Sequence, residues 1–146
     1  MKRKWTVLAA TLVSSALVVA GLAAAAPDDE ETPLGKIMEK VQKDHTNIMK
    51  AYRTGVAWKK SQKDVADWAN DLVKHGREAK PFTDVVKEKK KTVADWNERM
   101  DAFIKEAEQF ARVAAKPATT NAQAKDAYRK VSAACTNCHN VYRDEE

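Results

Sequence analysis

The chain has little glycine, proline or cysteine, with four glycines, four prolines and two cysteines among its 146 residues. It also lacks runs of alternating apolar and polar residues, which would predict half-buried strands. We find no glycine-rich phosphate loop, no Ser/His/Asp arrangement and no carboxylate pair that stands apart from an ordinary charged helix face. These absences disfavour β-sheet folds and hydrolase chemistry, and we expect the protein not to be an enzyme.

The net positive charge owes much to the first four residues. The chain has 26 basic and 21 acidic residues, and its formal net charge is +5. Lys2, Arg3 and Lys4 supply three of the positive charges, so residues 27–146 have 23 basic and 21 acidic residues and a net charge of +2. Because this balance is nearly neutral, it gives no indication of nucleic-acid binding.

Residues 1–26 have the pattern of a secretory signal peptide. The three basic residues precede an apolar run from Trp5 to Leu22, and four alanines occupy positions 23–26. A basic region, an apolar core and small residues in this order are typical of cleaved export signals. We predict a signal peptide over 1–26, with the cleavage site uncertain by one or two residues. The mature protein should then be periplasmic and have no stable membrane anchor.

Residues 27–146 have the length of one domain, and their apolar residues recur in helical steps of three and four. This pattern predicts four amphipathic helices. Segment 77–91 contains Pro81 and a highly charged run, and it fits neither of its neighbouring helices. The expected helix limits are Thr32-Pro33 to Gly55, about Ser61 to Gly76, Val93 to Ala114 before Pro117, and Thr120 onward with Gln123 completing a capping box.

Four such helices with short connections predict an all-α, antiparallel up-down-up-down four-helix bundle. His75 lies at the expected end of the second helix, where a histidine would interact with the helix dipole. The bulkiest candidates for the core are Trp58, Trp68, Trp96, Phe103 and Phe110.

The most informative motif is Cys135-Thr136-Asn137-Cys138-His139, which contains both cysteines of the chain. C-x-x-C-H is the attachment signal of a c-type haem. Residues three and four apart share a face of a helix, so the two thiols can form thioethers while the imidazole reaches iron. We therefore predict one covalent haem c, with Cys135 and Cys138 as the attachment residues and His139 as the proximal iron ligand.

Other interpretations of the cysteine pair have less support. A structural zinc site needs four ligands, and the chain has no second Cys or Cys/His pair. A thioredoxin-like redox pair would need a surrounding βαβ unit, which the pattern does not predict. A simple disulfide remains compatible with an exported protein.

A four-helix bundle with this motif on its last helix resembles the class II c-type cytochromes, the cytochrome c′ family. In that family the motif is commonly followed by two variable residues, then a tyrosine and a basic residue. Here His139 is followed by Asn140 and Val141, and then by Tyr142 and Arg143, which matches that spacing. The resemblance covers residues 27–146 by helix order, and its specificity comes mainly from 135–143. It implies an exported haem protein and places Arg143 near the proximal side as a haem contact.

The resemblance also implies that the residue opposite iron comes from the start of the first helix, where Met38 takes that position. His45 is the competing ligand, but it lies seven residues further on and cannot serve the same iron together with Met38. Met49 does not lie on the apolar face of the first helix. The family often has an arginine shortly before the distal position, and this chain instead has Gly35 and Lys36.

Two functions remain open. With His139 and Met38 both bound, a six-coordinate low-spin haem would transfer single electrons to and from redox partner proteins. If Met38 only packs, a five-coordinate high-spin haem would bind nitric oxide or carbon monoxide at an open distal site. The resemblance also implies a homodimer formed through the first two helices.

Overall fold

The computed structural model describes residues 32–143. The predicted signal peptide over 1–26 lies outside the described residues. Within 32–143 the regular structure is entirely helical, in agreement with the predicted all-α class. The helices are α1 (Pro33–Ala51), α2 (Gly55–Ala79), α3 (Asp84–Glu88), α4 (Val93–Ala114) and α5 (Asn121–Tyr142).

All four long helices begin in the same way. A threonine side chain accepts a hydrogen bond from the backbone N–H three residues later, which satisfies one of the unpaired donors of the first turn. At Thr120 the Gln123 side chain also accepts from the backbone N–H of Thr120, completing the predicted capping box. The four N-cap residues are Thr32, Thr54, Thr92 and Thr120.

The long helices form the predicted up-down-up-down bundle. α1 packs on α2, α2 on α4, and α4 on α5. At one end, Trp58 near the start of α2 donates to the carbonyl of Thr119 just before α5. At the other end, Trp96 near the start of α4 donates to the carbonyl of Lys80 after α2. Consecutive long helices therefore run in opposite directions.

The bundle core contains most of the predicted bulky residues. Trp58, Trp96, Phe103 and Phe110 are all buried, whereas Trp68 is only partly buried. Tyr128 of α5 is one of the largest fully buried residues, and its ring packs against Phe110 with the centroids 4.9 Å apart. The apolar stripes thus meet along the bundle axis, as their period predicts.

The predicted connection between the first two helices was wrong. α1 ends at Ala51, and Gly55 is the first residue of α2 instead of the residue that stops α1. The second helix therefore starts six residues earlier than Ser61. The reason is local, because Thr54 caps the new helix through the N–H of Ala57.

The predicted end of the second helix was also wrong. α2 continues through Gly76 to Ala79, so Gly76 is not a C-terminal cap. A Cβ atom at Gly76 would lie 2.9 Å from side-chain atoms of Phe103 and Ile104 on α4. The glycine is therefore needed where two helices approach closely.

This longer helix places His75 inside α2. Its Nε2 atom lies 3.7 Å from Oδ2 of Asp44 on α1, and its Nδ1 atom lies 3.1 Å from Oε2 of Glu78. His75 still lies within about one turn of the end of α2, so its interaction with the helix dipole stays a prediction beside these contacts.

Segment 77–91, which the sequence pattern assigned to neither neighbouring helix, contains the end of α2 and the short helix α3. Lys90 follows α3 with a φ of 52°, a left-handed conformation that turns the chain toward α4. No helix among the described residues is both long and apolar enough to cross a membrane.

Candidate haem-binding site

The motif residues lie in the last two turns of α5, where Cys135 and Cys138 pack at the edge of the bundle core. Both are free thiols and both are partly buried. His139 is more exposed than either cysteine. The structure therefore places the two thiols against the core and the imidazole at the margin of the same region.

The position of His139 follows from helix geometry. At about 100° per residue, His139 is rotated by about 40° from Cys135, in the direction opposite to Cys138. Cys138 lies on the α4 side, because Tyr142, one turn further along the same face of α5, donates a hydrogen bond to Asp95 of α4. His139 consequently lies on the side of α5 that is turned toward α1.

The titration of the motif residues reflects their partial burial. Burial raises the pKa of Cys135 to about 11, and the neighbouring Cys138 adds to the shift. Burial also raises the pKa of Cys138, while the Arg99 charge opposes that shift. The pKa of His139 is lowered, first by partial burial of the ring and then by the charge of Arg143. A neutral imidazole has the free nitrogen lone pair that a metal ligand needs.

α1 and α5 approach each other less closely than the other neighbouring helices do. One side-chain contact between them lies in the half of the bundle away from the motif, where Nδ1 of His45 is 2.7 Å from the Tyr128 hydroxyl. Asn121 donates to the carbonyl of Tyr52 in the same half. The motif end of α5 lies beyond these contacts, level with the start of α1.

Apolar side chains lie on both helices near this end of the bundle. Leu34, Met38 and Val41 on α1 and the two cysteines on α5 are partly buried and pack against the core. A porphyrin offers a flat apolar surface that would cover such side chains, and the two thiols and the imidazole are the donors that a c-type haem uses. The residues present thus fit this cofactor.

The other predicted residues have different surroundings. His45 is half-buried and is hydrogen-bonded to Tyr128, and burial lowers its pKa. Met49 is 40% exposed. Arg143 directly follows α5, is exposed, and lies near enough to His139 for its charge to lower the pKa of that imidazole.

A pair of charged residues on α4 contacts the motif turn, and no sequence pattern indicated that contact. Arg99 binds Asp95 through two hydrogen bonds, from Nε to Oδ2 at 2.9 Å and from Nη2 to Oδ1 at 3.1 Å. Its Nη1 atom also donates to the carbonyl of Asn137 at 2.7 Å, and the Tyr142 hydroxyl donates to Asp95 at 2.7 Å. The spacing of Asp95 and Arg99, four residues apart on a helix, was a signal for the pair. It gave no indication of the contact with α5.

The family model described as cytochrome c′ matches residues 28–143. The chain belongs to the cytochrome c′ family. Cytochromes c′ bind haem c, serve in electron transfer or gas binding, are typically not enzymes, and are generally exported to the periplasm. Neither the curated proteins nor the solved structures include a match to this chain.

Proposed function

We propose that this cytochrome c′ is an exported electron-transfer protein with one haem c attached covalently through Cys135 and Cys138. His139 and Met38 are its two iron ligands. The haem supplies the one-electron chemistry of its iron, and the protein supplies the ligands and the apolar surroundings. Redox partner proteins would donate and accept the electron. No substrate would be converted when they bind.

The register between α1 and α5 is the observation that carries the assignment of Met38. His45 on α1 contacts Tyr128 on α5, and Tyr52, the residue that follows α1, accepts a hydrogen bond from Asn121 at the start of α5. In both helices these contacts are seven residues apart, as expected for antiparallel neighbours. A further seven residues, about 10 Å along each axis, pairs Met38 with Cys135.

The direction of helical side chains brings Met38 and His139 toward one another. His139 lies one turn beyond Cys135, and therefore about 6 Å beyond the level of Met38. Every Cα–Cβ bond of a helix tilts toward its N-terminus, so in antiparallel helices the two side chains lean toward each other along the bundle axis. Methionine at this position is thus compatible with a ligand on the face of the haem opposite His139.

His45 is a weaker ligand because it already has a partner. Its Nδ1 atom is hydrogen-bonded to a buried tyrosine, and its position is seven residues away from Met38. Binding iron at that level would require the haem to lie about two turns from the cysteines that hold it. The hydrogen bond supports the interpretation of His45 as a structural link between α1 and α5.

Gas binding is the second candidate function, and the apolar side chains near the start of α1 favour it. Leu34 and Val41 flank Met38, and all three are partly buried apolar side chains. If the Met38 sulfur does not bind iron, the same residues form an apolar distal wall. Such a wall would exclude water and leave room for nitric oxide or carbon monoxide.

The test begins with full-length protein produced in a host that matures c-type cytochromes. Mass spectrometry should show the processed chain plus one haem, and Cys135→Ser/Cys138→Ser protein should lack that increment. Absence of the increment from wild-type protein would overturn the proposed function.

Optical spectra then separate the two functions. The wild-type protein should be low-spin and show the weak red band of methionine-ligated ferric haem. Met38→Ala should become high-spin and have a lower reduction potential, whereas Met49→Ala, a matched change at an exposed methionine, should resemble wild type. A high-spin wild-type spectrum that Met38→Ala leaves unchanged would favour gas binding.

A further inference from the structure

We propose that the Asp95–Arg99 pair of α4 is a positioning clamp for the turn of α5 that carries His139. This inference rests on the proposed function, since it concerns the residue assigned there as the proximal iron ligand. Neither residue touches the His139 ring in the structure. Arg99 binds the backbone of α5 before His139, and Asp95 binds an aromatic side chain after it.

The clamp contacts α5 on both sides of His139. Arg99 Nη1 donates to the carbonyl oxygen of Asn137, two residues before His139. Asp95 Oδ2 accepts from the hydroxyl of Tyr142, three residues after it. Between these contacts lies one helical turn, so its height along α5 and its rotation are both restrained.

The pair is itself rigidly held. Two parallel hydrogen bonds join the guanidinium to the carboxylate, and this bidentate arrangement fixes the plane of both groups. The backbone N–H of Asp95 donates to the N-cap hydroxyl of Thr92, which fixes the start of α4. About one third of each side chain is exposed, 29% for Arg99 and 33% for Asp95. At this exposure the ion pair itself adds little stability, so the clamp restrains α5 through the geometry of its hydrogen bonds.

Packing supports the same arrangement. Tyr142 is buried, and its ring meets Trp96 edge to face, with the ring centroids 5.0 Å apart. Trp96 adjoins Asp95 in the sequence and donates to the carbonyl of Lys80. The first two turns of α4 thus have three attachments: to the residue after α2, to Tyr142, and to the carbonyl of Asn137.

A positively charged group near the last carbonyls of a helix is also favourable. The final four carbonyls of an α-helix lack intrahelical partners, and the C-terminal end has a partial negative charge. Arg99 donates to a carbonyl just before this group, while the carbonyl of His139 accepts from the N–H of Arg143. The clamp should therefore suppress fraying of the turn that contains His139.

Residues that orient a metal-ligating imidazole commonly change metal affinity tenfold or more when they are replaced. The clamp differs from such residues by acting through the backbone of α5. We therefore expect its loss to change the haem iron's redox equilibrium, even though the haem would remain attached through both cysteines.

The decisive variant is Asp95→Ala/Arg99→Ala in the haem-loaded protein, because it removes both hydrogen-bonding groups of the clamp without changing the net charge. The matched control is Arg77→Ala/Glu108→Ala, which removes a 2.7 Å pair between α2 and α4 that is not in contact with the motif. Tyr142→Phe is a milder variant that removes one hydrogen bond of the clamp and keeps the ring.

The first measurement is amide hydrogen exchange at residues 141–143. Loss of the hydrogen bonds from α4 to α5 should accelerate amide exchange about tenfold in the double variant and a few-fold in Tyr142→Phe. The control should leave these rates at the wild-type value. Unchanged rates in the double variant would overturn the clamp.

The second measurement is the reduction potential, with the optical spectrum recorded alongside. At the midpoint potential of the wild-type protein, the ratio of oxidised to reduced haem in the double variant should differ from the wild-type ratio by roughly threefold or more. Faster exchange with an unchanged ratio would show a purely structural contact and overturn the positioning role alone. A wild-type protein without the haem mass would instead overturn the proposed function.

Discussion

The Nδ1 atom of His45 lies 2.7 Å from the hydroxyl oxygen of Tyr128, which links α1 to α5 through a hydrogen bond. Burial raises the pKa of Tyr128 above its ordinary value and lowers that of His45. The phenol therefore keeps its proton and the imidazole is neutral near pH 7. This link sets the register that places Met38 level with Cys135.

Replacing Tyr128 should destabilise the bundle without altering the iron. Tyr128→Phe leaves the His45 nitrogen without its partner, and we expect a loss of about 1–2 kcal/mol in the free energy of unfolding, measured by denaturant titration. The haem spectrum should not change, because His45 is not an iron ligand in our proposal. A shift to a high-spin spectrum would contradict that assignment.

Tyr52→Phe is the matched control for this change. The Tyr52 hydroxyl contacts the sulfur of Met49 in an exposed environment, and its ring lies 5.7 Å from that of Tyr128. Its replacement should cost less than about 0.5 kcal/mol. An equal loss in both variants would show that the His45–Tyr128 bond has no special contribution.

Alanine at position 76 should destabilise the protein, although alanine is the better helix former. A Cβ atom there would lie 2.9 Å from atoms of Phe103 and Ile104. The gain of roughly 0.5–1 kcal/mol from helix propensity is smaller than the 1–3 kcal/mol typical of overpacking. We expect Gly76→Ala to lower the free energy of unfolding by about 1–2 kcal/mol.

Gly55→Ala provides the control, because no atom lies within 4 Å of a Cβ built at Gly55. Thermal unfolding of both variants would compare the same substitution in crowded and open surroundings. We expect Gly55→Ala to be neutral or slightly stabilising. If Gly76→Ala were equally well tolerated, α2 and α4 could separate at this point at little cost.

Asp44→Asn should stabilise the protein more at pH 8 than near pH 4. Burial, and next the neighbouring Asp71 charge, raise the pKa of Asp44 despite the opposing effect of His75. Folded protein thus holds this proton more tightly than unfolded protein does. Ionisation of Asp44 therefore opposes folding as the pH rises through its folded pKa, and the amide removes that effect.

Denaturant titrations at both pH values measure this difference. The free energy of unfolding of Asp44→Asn, relative to wild type, should increase from pH 4 to pH 8. Asp64→Asn, at an exposed position on α2, should show no comparable increase. A relative stability of Asp44→Asn that falls over the same range would mean that the folded protein favours the ionised form of Asp44.

Loss of the cap at Thr120 should weaken α5, the helix that carries the motif. Thr120→Ala removes the acceptor for the N–H of Gln123, and we expect a loss of about 1 kcal/mol. Thr120→Ser keeps the hydroxyl and should retain most of that stability. Far-ultraviolet circular dichroism during thermal unfolding gives the comparison, and identical midpoints for the two variants would contradict a capping role.

Local patterns were sufficient to predict the helices whose ends depend on nearby residues. The range Val93–Ala114 and the capping box at Thr120 agree with the structure because hydrogen bonds within a few residues define them. The glycines were misassigned for a different reason. Gly76 looks like a helix end in the sequence, but it lies where Phe103 and Ile104 of another helix leave no room for a side chain.

The motif and its spacing predict Cys135, Cys138 and His139 as haem-binding residues without any structure, because the attachment signal lies within about one turn of one helix. Contacts between helices are different in kind. Packing of α4 against α5 places Arg99 beside the carbonyl of Asn137, and the α1–α5 register brings Met38 level with Cys135. Such long-range relations depend on how whole helices rotate and slide against each other, and no short pattern of residues contains that information.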